Sequence, residues 1–291
     1  MTDAALERWL GAKRRLVERA LRRELPARRS QLREAMRYSL LAGGKRLRPI
    51  LALASGEVVG AAPATVLPFA CALEYIHTYS LVHDDLPAMD DDDLRRGRPT
   101  SHKVYGEGLA ILVGDALLTD AFGLMAGARG VPPARALAAV AELARAAGEA
   151  GMVGGQALDL ASEGVRTSLG QVRAIHARKT GALFTASVRV GAIVGGARPG
   201  VLRRLGAYGE QLGLAFQIVD DLLDAVEGGD GRRDLELGKA TYPAVLGMER
   251  ARRHAARARD AALAAVRPLG PSADPLRAIA AWIVAQAGPG S

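Results

Sequence analysis

Leu73-Glu74-Tyr75-Ile76-His77-Thr78-Tyr79-Ser80-Leu81-Val82-His83-Asp84-Asp85-Leu86-Pro87-Ala88-Met89-Asp90 is an apolar run that ends in carboxylates. It closes a longer apolar stretch, Val66 to Leu86, whose spacings near 3 and 4 predict a buried helix. On that helix His77, Ser80 and Asp84 fall at i, i+3 and i+7 and share one stripe running toward its end. Pro87 lacks an N–H and clashes with the preceding turn, so the helix breaks there. A bend at that point swings Asp90 back toward Asp84, which a continuing helix would not do.

A second acidic group repeats the pattern half the chain away. Gln217, Asp220 and Asp224 again lie at i, i+3 and i+7, with Asp221 beside them and apolar residues before them. Carboxylates entering an apolar surface together repel one another and lose hydration unless cations sit between them. A shared site for hard divalent metal follows, with Mg²⁺ the first choice for an all-oxygen ligand set. The run Asp90 to Asp93 is not an EF-hand loop, because no Gly stands at its sixth position and no Glu at its twelfth.

Outward from these clusters the chain reads as helix. Leu32 to Leu41, Gly108 to Met125, Arg135 to Ala150, Leu169 to Val194 and Val201 to Val226 carry helical spacings, and alternating strand patterns are scarce. Gly- and Pro-rich turns separate the runs without a long linker or a repeat. The expectation is one all-α domain over residues 1–291, with several helices apolar nearly all round and packed centrally.

Composition narrows the function. Hydrophobic residues make up 49%, ample for a core, and the single Cys71 excludes an internal disulfide framework and a cysteine-based zinc site. A cytoplasmic protein is expected. Met1 to Leu10 lacks an apolar signal region, and the longest uncharged stretch, Val58 to Leu73, contains two prolines and is too short to span a membrane. No membrane span is expected. The net charge of +8 is local: residues 1–48 hold 14 Lys and Arg against 5 Asp and Glu, leaving the rest near neutral. Aromatics are only 4% and do not interleave with the basic residues, so no nucleic-acid partner is expected.

The choice of lysine over arginine is informative. Among 34 Arg the chain has 5 Lys, and Lys45, Lys179 and Lys239 stand in Gly- or Thr-flanked segments. A compact ammonium there suits phosphate oxygens.

Together these residues resemble the trans-isoprenyl diphosphate synthase (polyprenyl synthetase) family, most closely its bacterial farnesyl diphosphate synthases. The resemblance rests on Asp84-Asp85-Leu86-Pro87-Ala88-Met89-Asp90, Asp93 to Thr100, Phe216-Gln217 with Asp220 to Asp224, Gly43 to Pro49, Gly154-Gly155-Gln156, Lys179-Thr180 and Gly238 to Pro243, in that family's order apart from the way they are grouped here. It covers about residues 30 to 250. It implies the isoprenoid synthase fold, helices around a deep central cavity, commonly in a homodimer. It implies that isopentenyl diphosphate is joined head-to-tail to an allylic diphosphate, with three Mg²⁺ expected and Mn²⁺ an alternative ion. Asp84, Asp90 and Asp220 would be direct ligands, with Asp85, Asp221 and Asp224 in close support. Arg95, Lys179 and Lys239 would bind the allylic diphosphate, and Thr180 and Gln217 would turn oxygens toward the carbocation. Lys45, Arg48, His77 and Arg96 would bind isopentenyl diphosphate, with Gly44 allowing close backbone approach.

Tyr79, with Ser80 beside it, would set product length. Five residues before Asp84 is about 7.5 Å along a helix, and in the family an aromatic there accompanies a fifteen-carbon product. Geranylgeranyl or geranyl diphosphate is the alternative product. The resemblance also implies a basic C-terminal tail, which this chain lacks, so Arg232 or Arg233 is the alternative for closure. A terpene cyclase would not need Lys45, Arg48 and His77, and a non-catalytic subunit would be expected to lose aspartates.

Overall fold

Apolar residues three and four apart become helix along nearly the whole chain in the computed structural model, which describes residues 1–162, 164–165, 167–227 and 241–288. The order is α1 (Asp3–Glu24), α2 (Gln31–Leu40), α3 (Leu47–Val58) and α4 (Pro63–Asp84), then β1 (Leu94–Arg95) and β2 (Arg98–Pro99), α5 (Ser101–Tyr105), α6 (Glu107–Ala126), α7 (Pro133–Ala147), α8 (Met152–Leu160) and α9 (Leu169–His176). A single π-helical turn, Ala177–Gly181, leads into α10 (Ala182–Val194) and α11 (Pro199–Glu227). Last come α12 (Tyr242–Leu246), α13 (Met248–Val266) and α14 (Asp274–Ala285). The all-α expectation holds, with one two-stranded hairpin among the described residues.

Helix α4 is the central post. It starts on Pro63, whose missing N–H is no loss in a first turn, and buries residues around its whole circumference. One core cluster joins α4 to α6 and α10, and a second packs α3 and α10 against α11, α13 and α14. The cavity lies between these clusters, with α4 on one wall and α11 on another.

Two local features depart from the helical runs. Strands β1 and β2 pair as an antiparallel hairpin whose turn, Arg96-Gly97, has positive φ at both residues. Helix α6 is long and apolar enough to cross a membrane, and only a third of its most apolar window is buried. The expectation of no membrane span was drawn from the longest uncharged stretch, Val58 to Leu73, and did not consider α6, whose apolar run contains Asp115 and Asp120.

Candidate active site

Asp84 ends α4 and the chain folds back as Pro87 requires: the Asp90 amide donates to the Asp84 carbonyl at 2.8 Å, and the Asp92 amide to the Asp85 carbonyl at 3.2 Å. Asp84 and Asp90 both line a cavity of about 980 Å³. Asp220, Asp221 and Asp224, on α11, line the same cavity. The two acidic groups are therefore two walls of one space.

Asp85 does something different. It is buried, it is not among the cavity-lining residues, and it accepts a hydrogen bond from Arg95 Nε at 2.5 Å. Arg95 also donates to Asp92 at 3.2 Å. The β1–β2 hairpin thus delivers Arg95 to the cavity with its guanidinium already braced. Burial works to lower the Arg95 pKa, but Asp85 overcomes it and the pKa is raised.

Lys179 and Thr180 stand on the π turn. The extra residue in that turn is accommodated by α8, which crosses so closely that a Cβ on Gly155 would lie 2.1 Å from the Lys179 amide nitrogen. Lys179 Nζ donates to Asp159 of α8 at 2.6 Å. Burial again works to lower its pKa, and Asp159 and Asp84 together hold it raised. Thr180 donates to Gln217 Oε1 at 2.7 Å, Gln217 Nε2 to Asp221 Oδ1 at 3.0 Å, and the Tyr242 amide to Asp221 Oδ2 at 2.8 Å. This chain of bonds ties the π turn to α11 and α12. His176 stacks on Tyr242 with ring centroids 5.5 Å apart, and burial lowers its pKa to about 4.

The same cavity also carries cationic side chains. Lys45, Arg48, His77 and Arg96 all line it. Arg48 lies over the Phe184 ring at 4.9 Å, and burial lowers its pKa to about 10 despite Glu74 and Asp220. His77 is held well below its usual value by burial and by Arg48 and Arg96. Arg96 bonds the Gly43 carbonyl and covers Gly44, where a Cβ would lie 2.7 Å from the guanidinium and φ is +123°. Lys45 Nζ is 5.7 Å from the ring centre of Trp282 on α14. The loop is fixed from behind by Arg46, which bonds Glu74 at 2.6 Å, Glu18 at 2.8 Å and the Leu40 carbonyl at 2.8 Å.

Tyr79 is buried and lines the cavity with His83, its ring edge-on to that imidazole at 5.8 Å. Ser80 lines it too, though its hydroxyl donates back to the His77 carbonyl. Lys239, Arg232 and Arg233 lie outside the described residues. Two cavity residues had no role in the sequence reading. Asp159 carried no motif of its own, and Gln156, whose amide atoms are buried without a protein partner among the described residues, was visible only as the last member of Gly154-Gly155-Gln156.

The donor set suits a hard divalent cation. Burial raises the Asp84 carboxyl to about 6 with Asp90 adding to it, and raises Asp221 to about 7 with Asp220 and Asp224 adding to it. A dication between the walls relieves both effects. Among the described residues, the one group of three ligand-type side chains whose atoms lie within 4.8 Å of one another is Asp91, Asp93 and His102, outside the cavity lining. The cavity carboxylates are farther apart, so diphosphate oxygens would have to complete any coordination shell between them.

Residues 29–267 match the family described as Polyprenyl synthetase. The chain is 52% identical over 223 residues to farnesyl diphosphate synthase of Escherichia coli (strain K12), covering 73% of this chain and 74% of that protein. It is 48% identical over 224 residues to large subunit 1 of a chloroplastic heterodimeric geranylgeranyl pyrophosphate synthase of Arabidopsis thaliana, covering 73% of this chain but only 60% of that protein. The crystal structure of an FPP/GFPP synthase from Zymomonas mobilis superposes with a TM-score of 0.90 at 40% identity, covering 97% of this chain and 100% of that one. With both aspartate walls, the basic side chains and the hairpin arginines in one cavity, and with this match over most of its length, the chain belongs to the polyprenyl synthetase family, a family of Mg²⁺-dependent prenyltransferases.

Proposed function

We propose that the protein condenses isopentenyl diphosphate with dimethylallyl and then geranyl diphosphate, giving farnesyl diphosphate. The observation that carries this reading is that one cavity is lined both by the carboxylates Asp84, Asp90, Asp220 and Asp224 and by the basic side chains Lys45, Arg48, His77 and Arg96. Two diphosphates of different reactivity need two anion sites, and a cyclase acting on one diphosphate does not.

Three Mg²⁺ held by Asp84, Asp90, Asp220 and Asp224, with Asp221 near them, would neutralise the charge that develops on a departing diphosphate. Arg95 and Lys179 add fixed positive charge to the same oxygens. Lys45, Arg48 and Arg96 hold isopentenyl diphosphate so that its double bond meets the allylic carbon. Thr180 and Gln217 present oxygens to the cation. The new C1–C4 bond forms as the allylic C–O bond breaks, and the released diphosphate takes the proton from C2 of the isopentenyl unit. No side-chain base is required.

Tyr79 supports a fifteen-carbon product, because its ring closes the α4 side of the cavity one and a half helical turns before Asp84. The relatives named for geranylgeranyl diphosphate favour a second reading, a twenty-carbon product. Exposed Ile111 and Leu112 on α6 support a homodimer in which a second copy covers that helix. A cytoplasmic location accords with the single buried Cys71.

The test supplies isopentenyl diphosphate with dimethylallyl, geranyl or farnesyl diphosphate and Mg²⁺, then identifies products by mass spectrometry. Farnesyl diphosphate as the end product is expected, and no elongation from any primer overturns the reading.

A further inference from the structure

Helix α1 keeps one face for the core and the other for charge. Leu6, Val17, Ala20 and Leu21 are buried, while Arg8, Arg15, Arg19, Arg22 and Arg23 on the far side are exposed. At 100° per residue, Arg8, Arg15, Arg19 and Arg22 fall within a sector of about 60° and form a row about 21 Å long. Exposed Arg28 and Arg29 follow beyond the helix end.

The row is largely uncompensated. Arg22 approaches Glu18 at 3.8 Å and Arg23 pairs with Glu24 at 2.8 Å. Among the described residues Arg8, Arg15 and Arg19 have no ion-pair partner. The preference of this chain for Arg over Lys changes the residue type but not the sign, so it does not account for a charge excess confined to the first 48 residues. Nor does the row serve the cavity, since none of these arginines lines it.

A row of this length exceeds any small anion and fits an extended one. Helix α1 is packed against α3, α4 and α14, so it presents a flank and is not free to enter a nucleic-acid groove. Its one aromatic residue, Trp9, packs against the core with Lys13 over its ring, leaving none on the arginine face to stack on bases. A flat array of guanidinium groups matches a plane of phosphates. We propose that the arginine face of α1 docks the protein on anionic phospholipid surfaces.

The full chain is sedimented with phosphatidylcholine vesicles, with or without roughly one-third phosphatidylglycerol. Binding to the anionic vesicles alone is expected, and it should be lost near 1 M salt, where screening acts within about 3 Å. The triple variant R15Q/R19Q/R22Q should weaken partition about 100-fold, at about fivefold per arginine. R250Q/R253Q/R257Q on α13 removes the same charge from exposed positions elsewhere and should weaken it less than about fivefold. Circular dichroism checks that both variants keep the parent's helix content. Equal binding to neutral vesicles, no binding to either, equal loss in both triple variants, or tighter binding to a DNA duplex than to anionic vesicles would each overturn the proposal.

Discussion

Tyr79→Ala should change the product without disabling the chemistry. Tyr79 lies five residues before Asp84 on a continuous helix, about 7.5 Å along its axis. An isoprene unit adds four chain carbons, about 5 Å along an extended zigzag of bonds roughly 1.5 Å long. The ring lines the cavity beyond the α4 carboxylate, and removing a side chain of that length opens space comparable with one more isoprene unit. The site is buried, so truncation should also cost about 3 kcal/mol of stability from the cavity and the lost edge contact with His83. The assay follows products from isopentenyl and geranyl diphosphate by mass spectrometry, with thermal unfolding in parallel. A twenty-carbon main product is expected from Tyr79→Ala, and an unchanged fifteen-carbon product from Tyr79→Phe, which keeps the ring. A folded Tyr79→Ala protein that still stops at fifteen carbons would refute the reasoning.

Gly155→Ala places a Cβ against the Lys179 backbone and should lower kcat at least tenfold by displacing Lys179 and Thr180; a variant with parental kinetics would show that the π turn does not need α8 so close. Arg46→Met removes the guanidinium bonded to buried Glu74 and should cost about 3–5 kcal/mol in urea unfolding, so a loss under about 1 kcal/mol would remove Arg46 as the brace of the Gly43–Arg48 loop. Asp84 and Asp221 have folded pKa values raised to about 6 and about 7, so the stability they contribute is present below about pH 4 and lost as pH rises through 6 to 7. The Tm of metal-free protein should fall over that window and recover with Mg²⁺ plus diphosphate, and Asp221→Asn should flatten the fall; a Tm rising from pH 4 to 7 contradicts the sign. Isopentenyl diphosphate should bind without Mg²⁺ by calorimetry, and Arg48→Gln should weaken it at least tenfold, while binding that strictly requires metal would place it on the carboxylate side.

The two carboxylate walls were legible because helical spacing is rigid: His77, Ser80 and Asp84 on α4, and Gln217, Asp220 and Asp224 on α11, all reach the cavity. The return of Asp90 was legible too, since Pro87 leaves the backbone little choice. What stayed hidden was pairing between distant segments. Nothing in the local sequence shows that Asp85 turns to Arg95 or that Lys179 finds Asp159. The apolar run Leu169 to Val194 reads as one helix, because one inserted residue shifts the phase without breaking the pattern; the close approach of α8 at Gly155 to the π turn is likewise absent from the local sequence. The span-length character of α6 was missed for a related reason, as two aspartates hide an apolar average.

The direction in which each basic group is displaced divides the cavity more sharply than residue type does. Arg95 and Lys179 are buried, yet both are raised, because Asp85 and Asp159 accept their hydrogen bonds. Their charge is already compensated, so they stand ready without drawing in a lone anion. Arg48, Arg96 and His77 are lowered, since burial and mutual repulsion outweigh Glu74. Among the described residues neither Arg48 nor Arg96 forms an ion pair, though carboxylates act on both at longer range, so their charge would suit a diphosphate. At the aspartate end the surplus is negative, and an anion can enter only in company with cations. On the function proposed above, this difference would let the protein take one diphosphate bare and the other as a metal complex.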